Sequence, residues 1–304
     1  MSQLAGQLQL KAVATLARSA ARKRTLDIIQ SPVLKKLSWL FHGFSTRANG
    51  SLGFVPHETR EGVQQSRRQY LTALGAPANL VTLRQIHSDV IHVITSPPAE
   101  PLAGDGLITN VPGLALGILT ADCFPVLLAD SRNRAVGAFH AGWRGTVARI
   151  AEKGLGLMRR EFGARPEDVY AAIGPGIQQC CYEVGEEVKS KFNSQFAYAG
   201  ELFREIKDSN PVREKYPLLF MNMRAPGHGD LCVKLHLDLQ EANRRQLLSL
   251  GIKSSRIFAS SECTSCNVQR FFSHRAEKGK TGRMMAVIGI KESGARKSDE
   301  ASRG

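Results

Sequence analysis

The chain has 304 residues, 42% of them hydrophobic, enough to bury a substantial core as one large domain or two small ones. It contains no run of 18 uncharged apolar residues, so no transmembrane helix and no membrane partner are expected. The net charge of +14 is dispersed, without the interleaved aromatics of single-strand binders. A generally basic surface that draws in small anions is therefore expected, not a nucleic-acid site.

In chain order, residues 1–27 are rich in Ala, Leu and Arg and almost free of acids. They read as a basic, flexible extension of a cytoplasmic protein, with an organellar transit peptide as the alternative. Six cysteines include a vicinal pair at 180–181, and no secretory hydrophobic segment precedes them, so reduced thiols are expected. The folding part spans 28–291, and the charged segment 292–304 reads as a disordered tail. Strands are predicted at 37–44, 80–86, 90–95, 256–259 and Met284–Ile290, and a short buried strand at Val169–Ile173. Helices are predicted at Arg60–Leu74, closed by Gly75, and at 147–162, 185–196 and 235–250. Residues 197–230 carry no clear pattern. Strands and helices mix without a steady βαβ rhythm, which predicts an α/β (mixed α+β) single domain, with a mixed sheet flanked by helices.

The centre of the chain is the stretch TADCFPVLLAD (120–130) followed by FHAGWRGT (139–146). Two apolar strands, 125–128 and 135–139, joined by the turn Asp130-Ser131-Arg132-Asn133, predict an antiparallel hairpin. Cys123 precedes the first strand and His140 follows the second, so the hairpin brings thiol and imidazole together. Thr146 is placed to cap the helix at 147–162, leaving free backbone N–H groups that suit an anion. With His87, Cys123 and His140 offer three ligands of a tetrahedral zinc with an open fourth position. The spacing alone also allows a Cys–His nucleophilic pair or ordinary satisfied side chains. Asp122 is a candidate for orienting a ligand or a substrate hydroxyl, with turn capping as its bland role, and Asp105 is similar. Arg47, Arg144 and Arg275 offer guanidinium forks for an anion, against structural ion pairs. Trp143 reads as a buried loop anchor, with stacking on a base as the alternative. Cys263-Thr-Ser-Cys266 is a lone CxxC, half a zinc site without a partner pair, and reads as structural.

These stretches, with HGFSTR (42–47), QIHSDV (85–90), IGPGI (173–177), CYEVGEEV (181–188), LDLQEANRRQL (237–247), FFSHR (271–275) and TGRMMAVIGI (281–290), occur in one order. Together they resemble the YfiH-type family, also called laccase-domain or polyphenol-oxidase-type proteins. The resemblance implies a single mixed-sheet domain and a metal held by His87, Cys123 and His140, zinc first and copper second. It implies phosphorolysis of adenosine, inosine or methylthioadenosine, with purine nucleosides and phosphate as partners, and deamination of adenosine. Cys123, His140 and Asp122 would then be catalytic, and Arg47, Arg144, Thr146 and Arg275 would bind substrate. A homodimer is compatible with this reading. A copper phenol oxidase, a Cys–His hydrolase and a peptidoglycan quality-control role are the rivals.

Overall fold

Several strands of this chain are buried on both faces, which is why they read as continuous apolar runs instead of alternating ones. In β2 (Leu40–Ser45), β7 (Phe124–Asp130), β8 (Ala135–Ala141) and β14 (Met284–Ile290), every residue is buried. The computed structural model describes residues 26–77, 79–207, 215 and 233–292. The expected extension up to residue 25, most of the patternless stretch and the tail after Glu292 lie outside them. Asp27 is bound to the domain: its carboxylate accepts two hydrogen bonds from Arg270.

The expected mixed α/β architecture is present, but among the described residues the strands form three sheets, not a single one. The first has the order β1 (Ile28–Ile29), β2, β14, β6 (Ala115–Thr120), β3 (Leu80–Thr82). The second runs β13 (Ile257–Ala259), β9 (Val169–Ile173), β7, β8, β5 (Gly106–Thr109), β4 (Ile91–Val93). A small antiparallel sheet joins β10 (Glu183–Val184), β12 (Val233–Leu237) and β11 (Phe203–Lys207). The two large sheets are mixed: β3 with β6, β4 with β5 and β9 with β13 are parallel, the other pairs antiparallel.

Side-chain alternation along β7 shows how the layers stack. Leu127 and Ala129 face Leu116, Ile118, Ala286 and Ile288 of the five-stranded sheet. Phe124, Val126 and Leu128 face the helices α3 (Ile150–Phe162), α4 (Glu186–Gln195) and α5 (Leu239–Ser249). On the far side, α1 (Arg60–Leu74) covers the five-stranded sheet with Tyr70, Leu71 and Leu74. The order is thus helix, sheet, sheet, helices. Each fully buried Phe or Leu contributes roughly 1.5–3 kcal/mol. The predicted helix at Arg60–Leu74 has its expected ends, a Thr59 hydroxyl accepting from Gly62 N–H and Gly75 in the left-handed region at φ 62°.

Two helix predictions need correction. The segment 147–162 is broken: α2 (Trp143–Val147) ends before Arg149, whose φ of 62° interrupts the helix ahead of α3. Tertiary contacts hold that residue, since its guanidinium donates to Glu152 and to Gln195 O and covers the Phe196 ring. At 235–250, the first residues belong to β12, and Asp238 caps α5 by accepting from Glu241 N–H.

Candidate functional site

The two large sheets are joined by crossings at 83–90 and 121–123, and these crossings build the site. His87 lies between β3 and β4, and Cys123 immediately before β7. His140 comes from the paired strand, in register with Pro125. The ligand atoms of His87, Cys123 and His140 lie within 4.8 Å of one another. The two rings meet edge-on at 4.9 Å. Both crossings use left-handed backbone at non-glycine residues, φ 57° at His87 and 88° at Asp122. His and Asp tolerate that region better than most side chains, and such residues cluster at functional sites. Gly142 fits the same cluster closely, because a Cβ there would stand 3.0 Å from the Cys123 sulfur.

Asp105 ties the ligands together from behind. Fully buried, it accepts from His140 Nδ1 at 2.8 Å, from the N–H groups of Ile86, His87 and Ser88, and from the Ser88 hydroxyl. Burial pushes its carboxyl up, but the hydrogen bonds from His140 and Ser88 hold it well below the usual carboxylate range. An ionised acceptor requires the proton on His140 Nδ1, which leaves Nε2 for the cluster. This is the carboxylate–histidine arrangement that orients metal ligands. Burial likewise pushes the Cys123 thiol up, yet the charge and hydrogen bonds of His140 and His87 bring it down to about 6. His140 is depressed by burial and raised by Cys123 and Asp105, to about 9. Two imidazoles and a thiol poised to ionise, with a carboxylate behind one ring, fit one metal ion with an open position.

That position opens into a cavity of about 550 Å³, within the range of small-molecule sites. Its walls include Phe54, Leu119, Tyr182, His274, Arg275 and Arg283. Burial raises the Tyr182 phenol above its ordinary value, so it stays a neutral donor. The Arg275 guanidinium lies over the Tyr182 ring and donates to Glu183 O. Tyr182, His274 and Arg283 were not singled out from the sequence, although each sits inside a recognised stretch.

The remaining candidates fall elsewhere. Arg47 is absent from the cavity wall: it donates to Glu277 at 2.7 Å and to Phe271 O, over the Phe272 ring. It acts as a structural ion pair. Thr146 does not cap a helix. It is fully buried inside α2, its N–H and hydroxyl both donate to Gly142 O, and its hydroxyl accepts from Asn243. Those bonds remove it from anion binding, and Gly142 takes the cap position instead. Arg144 is exposed and lies over its neighbour Trp143, outside the cavity wall. Trp143 itself packs against the core, the anchor role expected of it. Asp122 lines the cavity, but one carboxylate oxygen accepts from Thr264 Oγ1 at 2.6 Å and the other from Arg275 N–H at 2.7 Å. Both of its oxygens are thus bonded to the wall, and of the two candidate carboxylates Asp105 is the one hydrogen-bonded to an imidazole of the trio. The CxxC at 263–266 is not alone, because Cys180 and Cys181 lie against it.

Comparison with known proteins agrees with this architecture. The model of the family described as "Multi-copper polyphenol oxidoreductase laccase" matches residues 41–291. A purine nucleoside phosphorylase of Deinococcus radiodurans is 36% identical over 259 residues, 82% of this chain and 88% of that protein. An adenosine deaminase named RL5, from an unknown prokaryotic organism, is 35% identical over 219 residues, 69% of this chain and 74% of that protein. The crystal structure of the hypothetical protein YfiH of Bacillus licheniformis superposes with a TM-score of 0.73 at 30% identity, covering 89% of this chain and 98% of that one. The motif order, the layered sheets and these matches show that the chain belongs to the multi-copper polyphenol oxidoreductase laccase family, alongside proteins named YfiH.

Proposed function

We propose that this chain is a cytoplasmic, zinc-dependent purine nucleoside enzyme that phosphorolyses adenosine, inosine or methylthioadenosine and deaminates adenosine. One observation carries the reading: His87, Cys123 and His140 converge at the floor of a cavity large enough for a nucleoside. The names of the relatives, a purine nucleoside phosphorylase and an adenosine deaminase, support it.

His87, Cys123 and His140 would hold the ion, and Asp105 fixes His140 and the His87 backbone in place. Zinc bound there supplies a Lewis acid that lowers the pKa of water toward neutrality. The chain's own groups do the rest. Tyr182 offers a neutral donor and a ring face to a base. Arg275 and Arg283 provide the positively charged side of the cavity for phosphate, with His274 beside them and Arg144 outside it. Asp122 and Thr264 hold the Arg275 backbone, so the guanidinium starts from a fixed point. Phosphorolysis needs phosphate held beside the anomeric carbon, a task of positioning and charge.

The rival copper phenol oxidase finds little support in the donor set. Among the described residues, the metal-capable groups of three or more ligands are this trio and one four-cysteine cluster. A multicopper electron-transfer chain needs many more imidazoles. A Cys–His hydrolase is a second reading, favoured by the Cys123 sulfur lying beside His140, whose Nδ1 is hydrogen-bonded to Asp105.

The test is a nucleoside panel with and without phosphate, followed by chromatography, on protein of measured metal content. Zinc-dependent nucleoside turnover supports the reading. Zinc-loaded protein that turns over no nucleoside overturns it, and activity that survives complete chelation favours the hydrolase. Within the reading, Arg275→Ala should weaken phosphate use by roughly one to two decades, the worth of a charge-assisted hydrogen bond, with deamination much less affected.

A further inference from the structure

The chain carries a second thiol cluster that the nucleoside reading does not use. Strands β9 and β13 are parallel neighbours, so the segments following them leave the sheet at the same end. Their pairing continues as a bridge between Gly176 and Cys263. Beyond the bridge, a turn at 178–181, closed by Cys181 N–H to Gln178 O, presents Cys180 and Cys181. Opposite them, the Cys263 to Cys266 turn, closed by Asn267 N–H to Cys263 O, presents the other pair.

All four sulfurs lie within 4.8 Å of one another. Cys180 is 3.8 Å from Cys181 and 3.5 Å from Cys266, and Cys181 is 3.3 Å from Cys266. The edge of a zinc–thiolate tetrahedron with bonds of about 2.3 Å is roughly 3.8 Å, so these separations are those of one coordination sphere. Disulfides would sort the sulfurs into two bonded pairs, whereas the Cys266 sulfur stands close to two others. The sulfur of Cys263 also accepts the Gln178 N–H at 3.4 Å, a contact that favours a thiolate.

We propose that Cys180, Cys181, Cys263 and Cys266 form a tetrahedral four-thiolate site for a single zinc-class divalent ion, separate from the site of His87, Cys123 and His140. Four protein ligands leave no open position, so the site is structural. It clamps two loops that shape the cavity. One carries Ile177 and Tyr182 of the cavity wall on either side of its turn. The other carries Thr264, which holds Asp122, and runs on to His274 and Arg275. The proposal stands whatever the substrate is.

The test measures zinc in the full chain, purified with a thiol reductant, loaded with zinc and freed of excess. The wild type should hold about two zinc ions per chain, and Cys123→Ala and the Cys180→Ser/Cys181→Ser variant about one each. Substitution with cobalt(II) reads the same sites by another signal. Sulfur-to-cobalt charge-transfer absorption should survive largely in Cys123→Ala and fall to a minor part in Cys180→Ser/Cys181→Ser. If the double variant folds poorly by circular dichroism, Cys180→Ser alone, at an exposed position, should still change the cobalt spectrum and release zinc faster to a chelator. A single zinc per wild-type chain that disappears with Cys123→Ala overturns the proposal. So does a disulfide among these four cysteines that mass spectrometry finds in the reduced preparation.

Discussion

The two thiol clusters, one lining the cavity and one on turns that lead to wall residues, are built in opposite ways. The trio of His87, Cys123 and His140 hangs from strand ends and sheet crossings, with Asp105 at zero exposure behind it. The four cysteines sit on two turns, and Cys180 and Cys266 are exposed. The first offers three mixed ligands and an open side facing a cavity, the second four identical ligands and none. Rigid strands place a few groups for chemistry, whereas turns need a cross-link to hold a wall. Thr264, between Cys263 and Cys266, joins the two by its hydrogen bond to Asp122, the neighbour of Cys123.

The largest expected effect separates the clusters outright. Cys123→Ala should abolish nucleoside turnover and the zinc of the trio, a loss beyond the roughly 10–100-fold typical of an outer partner. Metal analysis beside the assay checks it, and full zinc occupancy with full activity would remove Cys123 from the metal site.

Asp105→Asn comes next. It replaces an acceptor of five hydrogen bonds by an amide whose N–H₂ faces donors, so metal affinity or turnover should fall by roughly 10–100-fold. Zinc titration against a competing chelator measures it. An unchanged affinity would mean that the strands alone orient His140.

Thr264→Val cuts the link between the regions. Losing a hydrogen bond to a carboxylate costs about 1.5–3 kcal/mol. For a domain of this size Tm should drop by roughly 2–4 °C for each kcal/mol. If the cluster holds the cavity wall through this bond, KM for nucleoside should rise while zinc content stays constant. A thermal melt and steady-state kinetics on one preparation decide it.

The smallest effect belongs to Arg47→Ala. The partly exposed pair with Glu277 is worth under about 1 kcal/mol, and phosphate dependence should stay as in the wild type. A phosphate titration showing a decade of change would return Arg47 to the anion site.

Much of this molecule was readable from local pattern. The helix Arg60–Leu74, the strands Val169–Ile173 and Met284–Ile290, and the hairpin of β7 and β8 follow from short-range periodicity, caps and turns. The hairpin by itself brings Cys123 toward His140. Long-range packing decided the rest. Arg149 leaves the helical region without a Gly or Pro to announce it, because Glu152, Gln195 and Phe196 hold it there. Thr146 looked like a cap, but its hydroxyl meets Asn243, nearly a hundred residues away. Arg47 looked free for an anion until the fold brought Glu277 to it. Asp105 stood in the sequence only as a candidate like Asp122, since its donors come from the distant crossing at 83–90 and from His140 in β8. The vicinal cysteines and the CxxC were each visible as pairs. Only the parallel pairing of β9 with β13 makes them one cluster, because register between distant strands is set by packing across the whole sheet and not by local sequence.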